Sequence, residues 1–407
     1  MKKRRMIIIL LSFAFVVLLA ASIRIFIFSR DTFTDVSDTD VRYSDNMRGY
    51  AVDDGYYYLE QGFVKFFDYQ SKTTVKVCNK PNCIHSEWSE ETPLEERCNA
   101  YLDRPMFVSF FAHGQHLYFF ISGISQKTVL YQSDLQRGDT KELLTLDAEF
   151  VGDIYLKGNS AFFSTNVSQM DKDESGMPVQ TGISTSRMHA LNLETMTIRD
   201  LIPPQYNYSG QMSLYGISGD RIVYNYLFFV DRFYGDNFDG AMPHNDLFSY
   251  DLNTGEIHQE LENVWSNDAG NCFITDSDIY FSVFTDRETA SCDLFRCSLE
   301  TGEAEQIAGG LLLTGFYDGK LFYETRPRPN YEMSDGQDNA ASPYRYFDIS
   351  TGQENECPCE YFVYDELNDG FIVAKVNKEG YASTLTLGFI KKTDYYVGRI
   401  EKVTYFD

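Results

Sequence analysis

Residues 218–225 read SGDRIVYN, and residues 247–261 read LFSYDLNTGEIHQEL. The first is a tight turn feeding a run of β-branched and aromatic residues. The second is a strand, an NTGE turn and a return strand, which together make a hairpin. Both signals recur along the chain. The turn-and-strand appears as DDGYYYLE (53–60), HGQHLYFF (113–120), KGNSAFFS (157–164), TDSDIYFS (275–282), YDGKLFYE (317–324) and NDGFIVAK (368–375). Most copies are followed by a hairpin, such as MHALNLETMTIRDLI (188–202), LFRCSLETGEAEQI (294–307) or YRYFDISTGQENEC (344–357).

A turn-strand followed by a hairpin accounts for the outer three strands of a four-stranded antiparallel blade. Repetition at this period predicts an all-β chain folded as a β-propeller, with seven blades favoured and six or eight as the alternatives. Composition agrees, because 15% of the residues are aromatic, with 32 Phe and 29 Tyr against 2 Trp. Such residues suit pleated, half-buried surfaces.

Repeats of this form resemble TolB-like and low-density-lipoprotein-receptor-like propellers, and are similar to the membrane-anchored surface propellers of anaerobic Gram-positive bacteria. The resemblance spans about residues 45–407. It implies fold and location, and it carries over no catalytic residue.

The N-terminus opens MKKRRMIIILLSFAFVVLLAASIRIFIFSRD. Four basic residues precede an apolar run from Met6 to Phe28, long enough as a helix to cross a bilayer. The sequence therefore divides into a basic stub and signal-anchor helix (1–30), a polar linker (31–44) and the propeller (45–407), with the propeller outside the cell membrane. Secretion after cleavage near Ala20-Ala21-Ser22 is the alternative. Net charge is −25, and residues 1–28 hold five basic groups and no acid, so residues 29–407 carry −30. A body this acidic repels phosphate backbones, which excludes nucleic acid as a partner.

Three insertions separate the turn-strand from its hairpin, at 165–186, 230–245 and 325–345. They read as second-to-third-strand loops sharing one face of the ring. Tyr234, Phe238, Arg326, Arg328 and Tyr331 are their candidate ligand-binding residues for a glycan, peptide or protein at the cell surface. Asp171-x-Asp173-x-Ser175 starts like a calcium loop, but position twelve is Gly182 in place of the bidentate Glu. His113-x-x-His116 crosses a turn into a strand and reads as structural.

GxSxG, HExxH, GxxxxGK[ST] and GxGxxG are all absent. The expected role is a non-enzymatic recognition or scaffold module. The alternatives are an accessory subunit of a membrane complex and a propeller hydrolase acting on glycans or peptides.

Three of eight cysteines fall in CNKPNCIHSEWSEETPLEERC (78–98). Cys78, Cys83, His85 and Cys98 supply the donor set of a closed structural zinc site. A disulfide-containing loop and free thiols stay open beside it. No cofactor is otherwise required. Among the remaining cysteines, Cys297 is placed to reach Cys272 on another strand of its blade, whereas Cys292 faces away from Cys297, and Cys357 and Cys359 form a CPC.

Overall fold

The computed structural model describes residues 42–44, 49–89, 91–102, 107–122, 127–134, 140–172, 178–229, 244–262, 272–275, 277–286, 291–309, 311–324, 344–359, 361–379 and 382–406. The apolar run 6–28 and all five loop residues named above, Tyr234, Phe238, Arg326, Arg328 and Tyr331, lie outside them. Among the described residues, no helix is long and apolar enough to cross a membrane.

A short strand, β1 (Arg42–Ser44), comes first. Seven antiparallel units follow, each of four strands consecutive in the chain. Blade 1 is β2 (Gly49–Val52), β3 (Gly55–Glu60), β4 (Phe63–Asp68) and β5 (Thr73–Lys76). Blade 2 is β6 (Phe107–His113), β7 (His116–Ser122), β8 (Lys127–Asp134) and β9 (Thr140–Asp147). Blade 3 is β10 (Phe150–Lys157), β11 (Ser160–Lys172), β12 (Pro178–Asn192) and β13 (Thr197–Asp200). Blade 4 is β14 (Gln205–Ser218), β15 (Arg221–Phe229), β16 (His244–Asp251) and β17 (Ile257–Leu261). Blade 5 is β18 (Cys272–Ile274), β19 (Asp278–Asp286), β20 (Ser291–Ser298) and β21 (Ala304–Ala308). Blade 6 is β22 (Leu312–Tyr317), β23 (Lys320–Glu324), β24 (Tyr344–Asp348) and β25 (Gln353–Glu356). Blade 7 is β26 (Phe362–Glu366), β27 (Gly370–Glu379), β28 (Ala382–Lys391) and β29 (Thr404–Tyr405).

Burial explains the repeat. The second strand of each blade is covered on both faces by its neighbours, so it reads as a continuous apolar run: Tyr56, Tyr57 and Tyr58 in blade 1, Leu117 to Phe120 in blade 2, Phe371 to Ala374 in blade 7. Fourth strands such as β17 and β21 form the rim and are largely exposed, each with one glutamate, Glu260 and Glu305. The third-to-fourth-strand turns of blades 4 and 6 share one chemistry. In blade 4, Asp251 accepts from the amides of Asn253 and Thr254, both at 2.8 Å, and Gly255 takes the left-handed conformation at φ 73°. The Asp348 turn of blade 6 repeats it, with Gly352 at φ 67°.

Each blade packs on the next through an apolar cluster. The clusters pass from blade 1 through blades 2 and 3, from 3 to 4, from 4 to 5, from 5 to 6 and from 6 to 7. A further cluster joins Leu367, Ile372 and Phe389 of blade 7 to Tyr56, Tyr58 and Phe67 of blade 1. The ring is therefore closed. Because every blade is one continuous segment, closure rests on side chains, and among the described residues no strand is exchanged across the seam. Seven-bladed propeller architecture is thus read directly from topology and packing.

Two departures from a plain ring matter for function. The first is β1, which pairs antiparallel with the innermost strand of blade 3, Arg42 opposite Leu156 and Ser44 opposite Ile154. It also comes alongside β2 and β6, the innermost strands of blades 1 and 2. Arg42 lies at the end of β10 that turns into β11, so the chain enters the ring's centre from the tight-turn face and rises towards the opposite one.

The second departure concerns residues 165–186. Residues 165–172 and 178–186 are strand rather than loop, as the outer parts of β11 and β12, whose pairing runs from Ser160↔Asn192 out to Lys172↔Pro178; residues 173–177, with Asp173 and Ser175, lie outside the described residues. The other two insertions begin after Phe229 and Glu324, also between second and third strands.

Candidate metal centre and ligand face

The connection from β5 to β6 lies on the face opposite the tight turns. It folds back on the β3–β4 turn, where the Val64 amide donates to the Ala100 carbonyl at 2.7 Å and the Leu102 amide to Gly62 at 2.8 Å. Its apolar side chains form a satellite core of Phe63, Cys98 and Ala100, with Cys78, Cys83, Trp88 and Tyr101 packed around them. The chain turns at Pro81-Asn82, and Asn82 and His85 both adopt left-handed backbone conformations at φ 60° and 52°.

These turns bring four side chains together. The Sγ atoms of Cys78, Cys83 and Cys98 and a ring nitrogen of His85 all lie within 4.8 Å of one another, and His85 Nδ1 is 3.5 Å from Cys98 Sγ. Cys98 is buried, and the other three are half-buried. Lys80 Nζ donates to the carbonyls of Leu94 at 3.1 Å and Glu95 at 3.3 Å, and also to that of Arg97, fixing the turn that delivers Cys98. Trp88 Nε1 donates to the Cys98 carbonyl at 3.0 Å. Burial raises the Cys78 thiol, but the backbone amides of Lys80 and Asn99 and the thiols of Cys83 and Cys98 overcome it, leaving its pKa below the ordinary value. Burial pushes Cys98 up to about 12.

The other cysteines lack such a partner set among the described residues. Cys272 on β18 and Cys297 on β20 have β19 between them, two strand spacings apart, which is beyond disulfide reach. That corrects the expected Cys272–Cys297 approach. Both are buried free thiols, Cys357 is free and half-buried, and Cys359 is buried. The Cys292 side chain lies outside the described residues.

A candidate ligand face lies where blades 3 and 4 meet. Ile183–Ser186 of β12 pair with Gln205–Tyr208 of β14, which fuses the two blades into one nine-stranded sheet on the side away from the tight turns. Residues opposite each other in register share a face. One face of this extension carries Tyr206 with Thr185 and Val167, and Tyr208 with Ile183 and Phe229. Tyr206 is 58% exposed, and the others are half-buried. Tyr206 and Tyr208 were not among the expected site residues. The signal for them is the alternation of YNYSGQMSL (206–214), whose period of two begins well before the core of blade 4.

The structure also forms a contact chain that no spacing had suggested. Asp200 Oδ1 lies 2.9 Å from His189 Nδ1, and His189 Nε2 is 2.8 Å from Thr165 Oγ1. An acid, an imidazole and a hydroxyl in this order are the parts of a nucleophilic relay. Thr165 is only 1% exposed, so the chain ties β11, β12 and β13 together and offers no hydroxyl to a substrate.

No protein-family model and no curated protein matches this sequence. Solved structures do. An oligogalacturonate lyase in complex with manganese is 10% identical, covering 88% of this chain and 93% of its own, with a TM-score of 0.45. The propeller domain of the trilobed protease from Pyrococcus furiosus is 11% identical over 88% of this chain and 98% of its own, at 0.44. TolB from Acinetobacter baumannii is 11% identical over 88% of this chain and 63% of its own, at 0.32. At such identities the likeness concerns fold alone.

One expectation falls here. The similar structures include the lyase, the tricorn protease and a prolyl endopeptidase, so this fold is compatible with catalysis and gives no ground for the non-enzymatic reading. The chain itself is a β-propeller of seven four-stranded blades.

Proposed function

We propose that the chain is an extracytoplasmic, membrane-anchored propeller serving as a recognition or scaffold module, and that it holds a glycan or peptide on the face opposite its tight turns. The observation that carries this reading is the fused sheet of blades 3 and 4, which stands beyond the ring and presents Tyr206 and Tyr208 on one surface. Tyrosine is apolar on its ring and polar at its tip, which suits both sugar rings and peptide backbones.

The path of β1 supports the orientation. The chain reaches Arg42 on the tight-turn face. An anchor at residues 6–28 would join the ring from that face and leave the fused sheet looking away from the membrane. The −30 charge on residues 29–407 favours neutral glycans and neutral or basic peptides over phosphorylated ligands.

The test is a screen of the purified chain on arrays of neutral glycans and of neutral and basic peptides, repeated with Tyr206→Ser. Tyr206 is largely exposed, so this change spares the fold. Binding weakened about tenfold or more supports the reading, that factor corresponding to 1.4 kcal/mol. Binding that is unaltered by the substitution, or no binding on any array, contradicts it.

A further inference from the structure

A disulfide needs two sulfurs about 2 Å apart and has no use for an imidazole. The β5–β6 connection instead converges three thiols and one imidazole, with the His85 nitrogen 3.5 Å from Cys98 Sγ. A tetrahedral zinc ion with bonds of about 2.3 Å to sulfur and about 2.05 Å to nitrogen places those two donors about 3.5 Å apart, and two sulfurs about 3.8 Å apart. The observed spacing is therefore that of a coordination shell. Soft thiolates with one imidazole in four-fold geometry select zinc among the common divalent ions.

The surroundings complete the argument. Three thiolates around a divalent cation leave one net negative charge, and Lys76, Lys80 and Arg97 stand about it. Lys76 Nζ donates to the His85 carbonyl at 3.3 Å and lies 3.8 Å from the Phe63 ring centre, and the Arg97 guanidinium lies 4.7 Å from that of Trp88. Amides of Lys80 and Asn99 donate to Cys78 Sγ, and that of Ala100 to Cys98 Sγ, the outer-shell donors that orient thiolate ligands. The connection has little other core. Ile84 is 86% exposed and Leu94 75% exposed, so between Val77 and Leu102, which pack on the blade core at its two ends, the apolar burial is that of the few residues packed around the four donors.

We propose that Cys78, Cys83, His85 and Cys98 bind one zinc ion in a closed shell, and that this ion holds residues 77–102 against the first blade. Four protein ligands leave no open position for water or substrate, so the ion is structural. The satellite core is separate from the seven blade interfaces, so removing zinc loosens the connection and leaves the ring standing.

Elemental analysis of the purified full-length chain should give about one zinc per chain, falling towards zero in Cys98→Ser and in His85→Ala. Replacement by cobalt should yield the thiolate-to-cobalt charge-transfer absorption and intense visible bands of a tetrahedral sulfur-rich site. Chelation should expose Lys80 and Arg97 to trypsin while the remaining fragments stay associated and strand-rich by circular dichroism. A metal-free wild-type chain, whether its thiols titrate freely or only after reduction, overturns the proposal, and needs no variant to fold. So does zinc content indifferent to both substitutions. Loss of the whole strand signal on chelation overturns the local role.

Discussion

Trp88 donates its indole N–H to the carbonyl of Cys98 at 3.0 Å, while the Cys98 sulfur faces His85. The residue that joins the connection's small apolar core to its donor cluster is thus held from both ends. Trp88→Phe keeps the ring and removes the donor, at a cost of about 1 kcal/mol. That cost should appear in the connection alone: the chelator concentration that strips half the metal falls about fivefold, and the urea midpoint of the ring is unchanged. Equal chelator sensitivity in both proteins would show that the bond does not support the site.

Phe67 of blade 1 stacks on Phe406, at the far end of the chain, with ring centres 4.4 Å apart. It also approaches Phe389 of blade 7 at 6.2 Å. Since no described strand crosses the seam, such contacts are what close the ring. Phe67 is 1% exposed, so Phe67→Ala should cost about 3–5 kcal/mol in urea unfolding. Ending the chain before β29 removes Phe406 and should destabilise it similarly. If the shortened chain unfolds at the wild-type midpoint, the seam is held by something else.

His189 gives a pH dependence whose sign follows from burial. Burial, the main cause, lowers its pKa below 6.5; Asp200 raises it and Arg187 lowers it again. The unfolded chain thus takes up this proton more readily than the fold. Stability from this residue is complete above about pH 6.5 and is lost as pH falls below it towards the depressed folded value. Thermal midpoints measured from about pH 8 to pH 5.5 should fall less steeply in His189→Gln than in wild type. Equal slopes would mean His189 is protonated alike in both states.

Gly302 and Gly352 sit at the left-handed position of their turns, at φ 70° and 67°, and an added Cβ would meet nothing within 4 Å at either site. Alanine there tests conformation free of steric clash. Each substitution should cost about 1 kcal/mol by equilibrium unfolding, near the price of left-handed backbone for a residue with a Cβ. Neutral outcomes would show that the turns relax.

These glycines also explain how much was legible in sequence. The TG turns and DG strands are local devices, fixed by φ requirements and by strands covered on both faces, so blade architecture shows in the letters. The cysteine window was legible for a similar reason, since its donors lie within 21 residues (78–98). The fused sheet was not. Whether residues 165–186 form a loop or a strand depends on Gln205–Tyr208 arriving beside them, a pairing between blades with no local signature. Nor could the Asp200–His189–Thr165 contact be seen, because neighbouring strands, not spacing, bring the three together. The passage of β1 through the ring is of this kind as well: Tyr43 meets Tyr155 across more than a hundred residues.

The ring thus has two unlike faces, one where β1 starts and one where the cysteine-rich connection and the tyrosine surface stand. Hydrogen–deuterium exchange of the purified full-length chain tests it most directly. If β1 is bonded into the centre, amides within residues 42–44 exchange slowly, and deleting those residues speeds exchange along the inner edge of β10 at 154–156. Residues 42–44 exchanging at unprotected rates, with β10 unaffected by their deletion, would contradict the account.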